Sequence, residues 1–149
     1  MLTSVGVLAT SAAVTLLASS SAFAASAPNP CKLVTAADVK TALGSAVGKS
    51  QLLPAGLYQS CIYSATPSKR LVVLVRQLSK SDFTRSAKAN PGPVTAVSGI
   101  GGAAYSVGGG ASLLVWKNGT EASFSIFGAG APLRAEERLA KKVVAKLGG

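Results

Sequence analysis

The stretch that decides the fold is residues 111–127, ASLLVWKNGTEASFSIF, which predicts a β-hairpin. Asn118 and Gly119 form the residue pair that a two-residue type I′ turn prefers, and alternating apolar residues flank them. A two-residue turn fixes the register of the strands that it joins. The pairs predicted to form the apolar, core-facing side are Val115 with Ala122, Leu113 with Phe124, and Ala111 with Ile126. The opposite side is mixed in polarity and carries Leu114, Trp116, Ser123 and Glu121.

Further strands are predicted before the hairpin. Residues 57–64 and 103–107 have strand composition, and residues 45–54 fit either a loop or a short edge strand. Residues 70–78 are apolar on both faces, because Leu and Val occupy successive positions. Such a pattern is typical of a central strand that is covered on both sides.

Three helices are predicted from their terminal signals. Thr35 is a good N-cap with Asp38 three residues later, and Gly44 suits the C-terminal cap. Residues 79–90 and 132–147 show similar N-terminal signals and apolar stripes. The order of elements predicts an α+β fold in two layers, an antiparallel sheet of about four to five strands with about three helices packed on it.

The charged residues argue against enzyme chemistry. The chain has 15 Lys and Arg, 5 Asp and Glu and no His, a formal net charge of +10. Without His, proton transfer near neutral pH would fall to carboxylates. Asp38 and Asp82 are expected to cap helices, and Glu136 and Glu137 to complement a helix dipole. Glu121 is the one acid without a helix role, and it is the only acid that we keep as a candidate site residue.

A glycine-rich string at residues 99–104, GIGGAA, matches the dinucleotide-binding fingerprint. That chemistry needs a helix N-terminus directly after the glycines. A strand and a hairpin follow here instead, so we interpret the string as a bend beside a packed strand. Serines are plentiful, but no His is present to activate one. We therefore predict no catalytic residues, no cofactor and no metal.

Residues 1–24 are predicted to be a signal peptide. Residues 5–17 are apolar and too short to span a bilayer, and Ala22-Phe23-Ala24 fits signal peptidase cleavage after Ala24. Residues 1–4 lack the Lys or Arg that usually begins a signal peptide, which a misassigned start codon would explain. The alternative to a cleaved signal peptide is a retained membrane anchor. Residues 25–30 are expected to be a flexible lead-in to a single domain at 31–149. The mature protein is expected to be secreted, either periplasmic or extracellular.

Cys31 and Cys61 are the only cysteines. An even cysteine count in an exported chain predicts a disulfide, and two thiols without His cannot fill a zinc site. Asn29 and Pro30 precede Cys31 in place of the small apolar residues that precede a lipidated cysteine. We therefore expect a protein that is not a lipoprotein.

The basic residues and aromatics supply the candidate contacts. One terminal helix carries Arg134, Arg138, Lys141, Lys142 and Lys146. They fit either a solvated face or a surface that attracts a polyanion, such as an anionic envelope polymer or lipid headgroups. The aromatic residues that would mark a ligand pocket are Tyr58, Tyr63, Tyr105 and Trp116. We do not expect nucleic acid as a partner. We expect the protein to be a monomer.

Four short motifs are spread along the chain. The first is Pro-Cys-x-Leu at residues 30–33, followed by a Thr-led helix that ends in Leu43-Gly44. The second is Cys61-Ile62-Tyr63, and the third is the glycine-rich stretch at residues 99–104. The fourth is a closing hairpin and a helix that contains Leu139-Ala140-Lys141. Together they resemble a group of small exported and lipoprotein domains of unknown function, common in actinobacteria. The resemblance covers nearly all of the mature chain. The chain departs from the family pattern at two points: Gly102 stands where an acidic residue is usual, and the lipidation cysteine is absent. It implies a Cys31–Cys61 disulfide and a sensor-like or ligand-binding domain.

We therefore expect an exported, non-enzymatic domain that binds a ligand at the cell envelope or acts as a sensor-like module. One alternative is a cationic secreted module that binds or inhibits another protein. The other is a hydrolase of unrecognised type that uses Glu121, or a Tyr with a Lys.

Overall fold

The computed structural model describes residues 27–147 and forms seven strands and four helices within them. The strands are β1 (Gln51–Ala55), β2 (Tyr58–Ser64), β3 (Arg70–Gln77), β4 (Val94–Ala96), β5 (Ala103–Val107), β6 (Ser112–Lys117) and β7 (Thr120–Phe127). The helices are α1 (Pro30–Leu33), α2 (Ala36–Leu43), α3 (Lys80–Lys88) and α4 (Pro132–Val144). The predicted signal peptide and its cleavage site lie outside the described residues.

All seven strands form one antiparallel sheet in the order β1-β2-β3-β7-β6-β5-β4. The β6–β7 hairpin has the predicted register, with Leu113 opposite Phe124. β7 also pairs with β3 along its whole length, so the hairpin lies at the centre of the sheet. The predicted pairing of Ala111 with Ile126 is wrong, because β6 begins at Ser112 and Ala111 is exposed in the preceding turn.

The α+β prediction is confirmed, but the described chain contains more elements than the sequence patterns predicted. β1 and β4 are the two edge strands, β1 carries Pro54, and β4 has only three residues. Edge strands need not alternate in polarity and tolerate proline, so their sequences give weak signals. The four-residue α1 begins at the buried Pro30, which was predicted to end a flexible lead-in.

The main core lies on the face of the sheet that α1, α2 and α4 cover, which we call the inner face. Leu71, Val73 and Val75 of β3 are completely buried there. So are Leu113 and Phe124 of the hairpin, which pack in the same cluster with residues of α2 and α4. Burial of each such side chain stabilises the fold by about 1.5–3 kcal/mol.

The opposite face, which we call the outer face, is covered by α3 alone. Phe83 and Ala87 of α3 pack on Val107 and Leu114 at the β5–β6 side of the sheet. The two-layer prediction is therefore wrong, because helices lie on both faces. The prediction that β3 is covered on both sides is also wrong, because its outer residues Val72 and Leu74 are only half-buried.

The predicted N-termini of the three longer helices are confirmed, whereas α3 and α4 end at Lys88 and Val144, before the predicted residues 90 and 147. Thr35 and Asp38 form a reciprocal capping box at α2, and Gly44 ends that helix in the left-handed conformation. Ser79 accepts a hydrogen bond from the Asp82 backbone N–H at the start of α3, and α4 begins at Pro132. Within residues 27–147 no helix combines the length and the apolar character needed to cross a membrane.

A disulfide between Cys31 and Cys61 fastens α1 to β2, as predicted. The buried Tyr63 hydroxyl lies beside it and donates to the carbonyl oxygens of Cys31 and Val34 at 3.2 and 3.3 Å. Together these contacts hold the segment before α2 against the inner face. Tyr63 therefore has a structural place in the core, and burial raises the pKa of its hydroxyl.

Glu136 does not act as an exposed first-turn acid in the way the sequence suggested. Its side chain is completely buried, and Oε1 accepts a hydrogen bond from the Ile126 backbone N–H at 2.9 Å. Oε2 has no hydrogen-bond partner among the described residues. Burial raises the pKa of Glu136 to about 7, and the hydrogen bond from Ile126 opposes the shift only partly.

Glu136 should make the stability of the fold depend on pH. The unfolded carboxyl has a pKa near 4.5, so between pH 4.5 and about 7 the folded state binds more protons. Stability therefore falls as pH rises through this window, by about 3 kcal/mol in all. Glu136→Gln keeps the acceptor for Ile126 without the charge, so its free energy of unfolding should change much less between about pH 5 and 8. Urea unfolding across pH measures this.

The neighbouring acid on the same helix, Glu137, is the matched control for that measurement. Glu137 lies at the wide groove described below and is half-buried, so Glu137→Gln should retain the wild-type pH profile. A Glu136→Gln profile parallel to that of the wild type would contradict the assignment.

Loss of the disulfide should destabilise the fold. The two cysteines are 30 residues apart, and chain-entropy arguments give about 3–4 kcal/mol for a loop of that size. We expect Cys31→Ser with Cys61→Ser to lower the free energy of unfolding by that amount in urea titrations. Two free thiols in mass spectra of the folded, non-reduced protein would contradict the bond itself.

Candidate functional site

The outer face contains a charged pair inside the sheet. Arg76 of β3 lies opposite Glu121 of β7 in the strand register. The Arg76 Nε and Nη2 atoms both donate to Glu121 Oε2, at 2.9 and 2.8 Å. Arg76 Nη2 also donates to Ser86 Oγ of α3 at 2.9 Å, so the guanidinium joins the helix to the sheet.

Glu121 is nearly enclosed, and only one of its carboxylate oxygens, Oε2, accepts a hydrogen bond from Arg76. The residue is 3% exposed, and burial raises the pKa of its carboxyl while the hydrogen bond from Arg76 lowers it. No residue in 27–147 donates to Oε1. Oε1 nevertheless keeps contact with solvent, because Glu136 Oε2 is the only fully enclosed side-chain oxygen without a partner among the described residues. The second oxygen of Glu121 therefore has no partner among the described residues and is not completely enclosed.

Glu121 lines a groove of about 320 Å³ between α3 and the uncovered part of the outer face. We call it the sheet groove. Its lining residues are Tyr58, Leu74, Arg76, Ser86, Asn90, Leu114, Glu121 and Ser123. Only Tyr58 and Glu121 among them are candidates from the sequence. The pairing of β3 with β7 would have identified Arg76 as a site residue, because it places Arg76 opposite Glu121.

A second groove, of about 350 Å³, lies at the other end of the sheet beside the N-terminus of α4. We call it the basic groove. Lys69, Arg134 and Arg138 line it, together with Gly44 and the loop at residues 128–131. No acidic side chain lines it among the described residues. The sequence identified the two arginines and missed Lys69, which lies in the turn before β3.

The loop of the basic groove brings backbone close to backbone. A Cβ atom at Gly128 would lie 2.5 Å from the Ser68 carbonyl oxygen, so only glycine fits there. The N-cap residue Ala131 is left-handed, and no side chain of the described residues caps the first turn of α4. Free N–H groups at a helix N-terminus attract anions, which adds to the field of the three cations.

The other basic candidates on α4 are engaged or lie elsewhere. Lys142 forms an ion pair with Asp38 of α2, and the hydrogen bond from Lys142 lowers the pKa of Asp38. Lys146 donates to the Leu33 carbonyl oxygen at 2.7 Å. Lys141 lines a different, wide groove of about 590 Å³ together with Glu137. The five predicted basic residues of α4 therefore do not share one surface.

The aromatic candidates are also separated. Trp116 donates from Nε1 to the Leu78 carbonyl oxygen at 3.0 Å, and Lys80 lies over its ring. Tyr105 contacts Phe83 ring to ring in the small core under α3. Of the four aromatic candidates, only Tyr58 lines the sheet groove, and it is 41% exposed.

The glycine-rich stretch at residues 99–104 is a bend before β5, as interpreted from the sequence. The Gly102 N–H donates to the Trp116 carbonyl oxygen at 2.8 Å. A Cβ atom at Gly101 would lie 2.7 Å from that same oxygen. The glycines therefore allow the bend to pack closely on β6. The described residues also hold no group of three or more His, Cys, Asp or Glu side chains arranged to bind a metal.

Comparison with known proteins adds no further assignment. No protein-family model, curated protein or solved structure matches this chain. The resemblance to the actinobacterial exported domains stays a prediction that depends on the quoted motifs. The case for function therefore depends on the geometry of the two grooves.

Removal of Arg76 should leave Glu121 buried without its partner. We expect Arg76→Met to lower the free energy of unfolding by roughly 3 kcal/mol at neutral pH, because an unpaired carboxylate stays in the sheet. Arg85→Met is the matched control, since Arg85 pairs with Asp82 on the surface and should change stability by less than about 1 kcal/mol. Equal losses from the two variants in urea unfolding would contradict the structural importance of the pair.

Proposed function

We propose that this chain is an exported, non-enzymatic binding domain that holds a phosphate-bearing anionic polymer of the cell envelope in the basic groove. The observation that carries the proposal is the convergence of Lys69, Arg134 and Arg138 on one groove without an acidic lining residue. These cations come from a turn and a helix that are distant in sequence. Like charges brought together repel one another, and a bound polyanion relieves that repulsion.

The neighbouring acid supports this interpretation. Asp38 is the acidic residue that shares a small cleft with Arg138, next to the basic groove. Asp38 already accepts a hydrogen bond from Lys142, so its charge is compensated. The field in the basic groove therefore remains positive.

A soluble polymer fits the basic groove better than a membrane surface does. Lipid binding by a folded domain combines basic residues with apolar side chains that enter the acyl region. The exposed side chains of Leu52 and Leu53 lie on β1, and that of Leu57 lies in the β1–β2 turn. In the strand register that turn lies at the Arg76 end of β3, whereas the basic groove follows the Arg70 end, roughly 20 Å away. Among the described residues, these exposed leucines therefore lie away from the basic groove, and the exposed Phe127 beside it has the Arg70 guanidinium over its ring.

The supporting experiment measures binding of long-chain inorganic polyphosphate by calorimetry at several salt concentrations. The triple variant Lys69→Ala, Arg134→Ala, Arg138→Ala should bind roughly 30-fold more weakly, since each exposed ion pair contributes up to about 1 kcal/mol. Its affinity should also fall less steeply with added salt.

The control variant removes the same net charge at other places. It carries Lys32→Ala, Lys49→Ala and Lys88→Ala, three exposed lysines outside the basic groove. Near-wild-type affinity of this control supports a localised site. Equal weakening of both triple variants would show a diffuse charge effect. Binding to phosphatidylglycerol vesicles but not to polyphosphate would transfer the proposal to lipid headgroups.

A further inference from the structure

We propose that the sheet groove is a second binding site, which takes one unit of a neutral saccharide. The proposal is independent of the basic groove, because the sheet groove lies on the outer face and shares no lining residue with it.

The charges that line the sheet groove cancel. Among the described residues, Arg76 and Glu121 are the only charged ones that line it, and they bond to each other. A free anion would meet the carboxylate of Glu121, and a free cation would meet the guanidinium of Arg76. A purely apolar ligand would cover the carboxylate without offering it a hydrogen bond, at a cost in free energy. The groove therefore favours a neutral ligand that carries hydrogen-bond donors.

The walls offer both donors and acceptors to such a ligand. Glu121 Oε1 accepts only, whereas Ser86 Oγ already accepts from Arg76 and so has its own proton to donate. Asn90 donates through Nδ2 to the carbonyl oxygens of Ser86 and Ala87, which leaves Oδ1 as an acceptor. The Ser123 and Tyr58 hydroxyls make no hydrogen bond within residues 27–147. Sugar hydroxyls both donate and accept, so a saccharide can satisfy this mixed set of groups.

The rest of the groove suits the carbon face of a sugar ring. Leu74 and Leu114 form apolar parts of the lining, and the Tyr58 ring is available at the edge strand side. An aromatic ring with a polar tip is suited to a surface that is part apolar and part wet. The volume of about 320 Å³ lies at the lower end of the range for small-molecule sites, about 300–1,000 Å³.

The groove is also held in shape before a ligand arrives. The hydrogen bond from Arg76 to Ser86 fixes α3 to β3, and Asn90 closes the C-terminal end of α3 through its side-chain amide. Phe83 and Ala87 anchor the same helix in the core beneath. A preformed set of polar groups loses little conformational entropy on binding, which favours affinity for a small ligand.

Titration of the folded protein with neutral saccharides tests the proposal, with backbone amide NMR shifts as the readout. The probes are tri-N-acetylchitotriose and maltotriose, and both are uncharged. We expect shifts at Tyr58, Ser86, Asn90 and Ser123 with at least one probe. Ser123→Ala removes a hydroxyl that has no partner in the described chain, so the fold should persist while affinity falls about three- to tenfold. Tyr58→Leu should weaken binding by a similar factor.

Two control variants match these changes outside the groove. Ser60→Ala removes a hydroxyl on β2, and Leu57→Ala removes an exposed side chain beside Tyr58; both should bind as the wild type does. The proposal is overturned if neither saccharide shifts the groove resonances, or if the shifts lie in the basic groove. It is equally overturned if glycine or inorganic phosphate binds in the sheet groove and the saccharides do not.

Discussion

The pairing of β7 with both β3 and β6 is the constraint on which the rest of the structure depends. The Asn118-Gly119 turn sets the register of one side, and the full-length pairing with β3 sets the other. Because side chains alternate along each strand, this register sends Val73 and Phe124 inward and Arg76 and Glu121 outward. A shift by one residue would place the charged pair in the main core and expose the apolar residues.

The helices cover the two faces of this sheet unequally, and the unequal cover creates the candidate sites. α1, α2 and α4 fill the inner face, with the disulfide holding α1 in place. α3 covers only the β5–β6 side of the outer face. The sheet groove lies where the cover of α3 ends. The basic groove lies at the opposite end of the sheet, where the β7–α4 loop turns back beside α2 and Lys69.

Buried carboxylates have different partners on the two faces. Glu121 meets a guanidinium, so its charge is compensated although the residue is enclosed. Among the described residues, Glu136 accepts a hydrogen bond from one backbone N–H, that of Ile126. Burial therefore leaves the pKa of Glu136 raised more than that of Glu121. In a low-dielectric interior the partner decides whether an acid stays ionised. Two acids that look alike in the sequence therefore have distinct electrostatic roles.

Local signals in the sequence determined the hairpin and its register, the capping box at Thr35, and the starts of α3 and α4. These features depend on residues close together in the chain, so composition and spacing predict them. The weak edge strands β1 and β4 have no such local signal, and α1 has a cap at Asn29 and a proline at Pro30 but is only four residues long.

Only the tertiary structure decided which distant residues meet. It brought Arg76 to Glu121 across 45 residues, placed Lys69 beside Arg134, and separated the basic residues of α4 between two grooves. The physical reason is that long-range pairing follows from strand order and from which face each helix covers. Both are set by the sum of many burial contacts rather than by any short stretch of sequence.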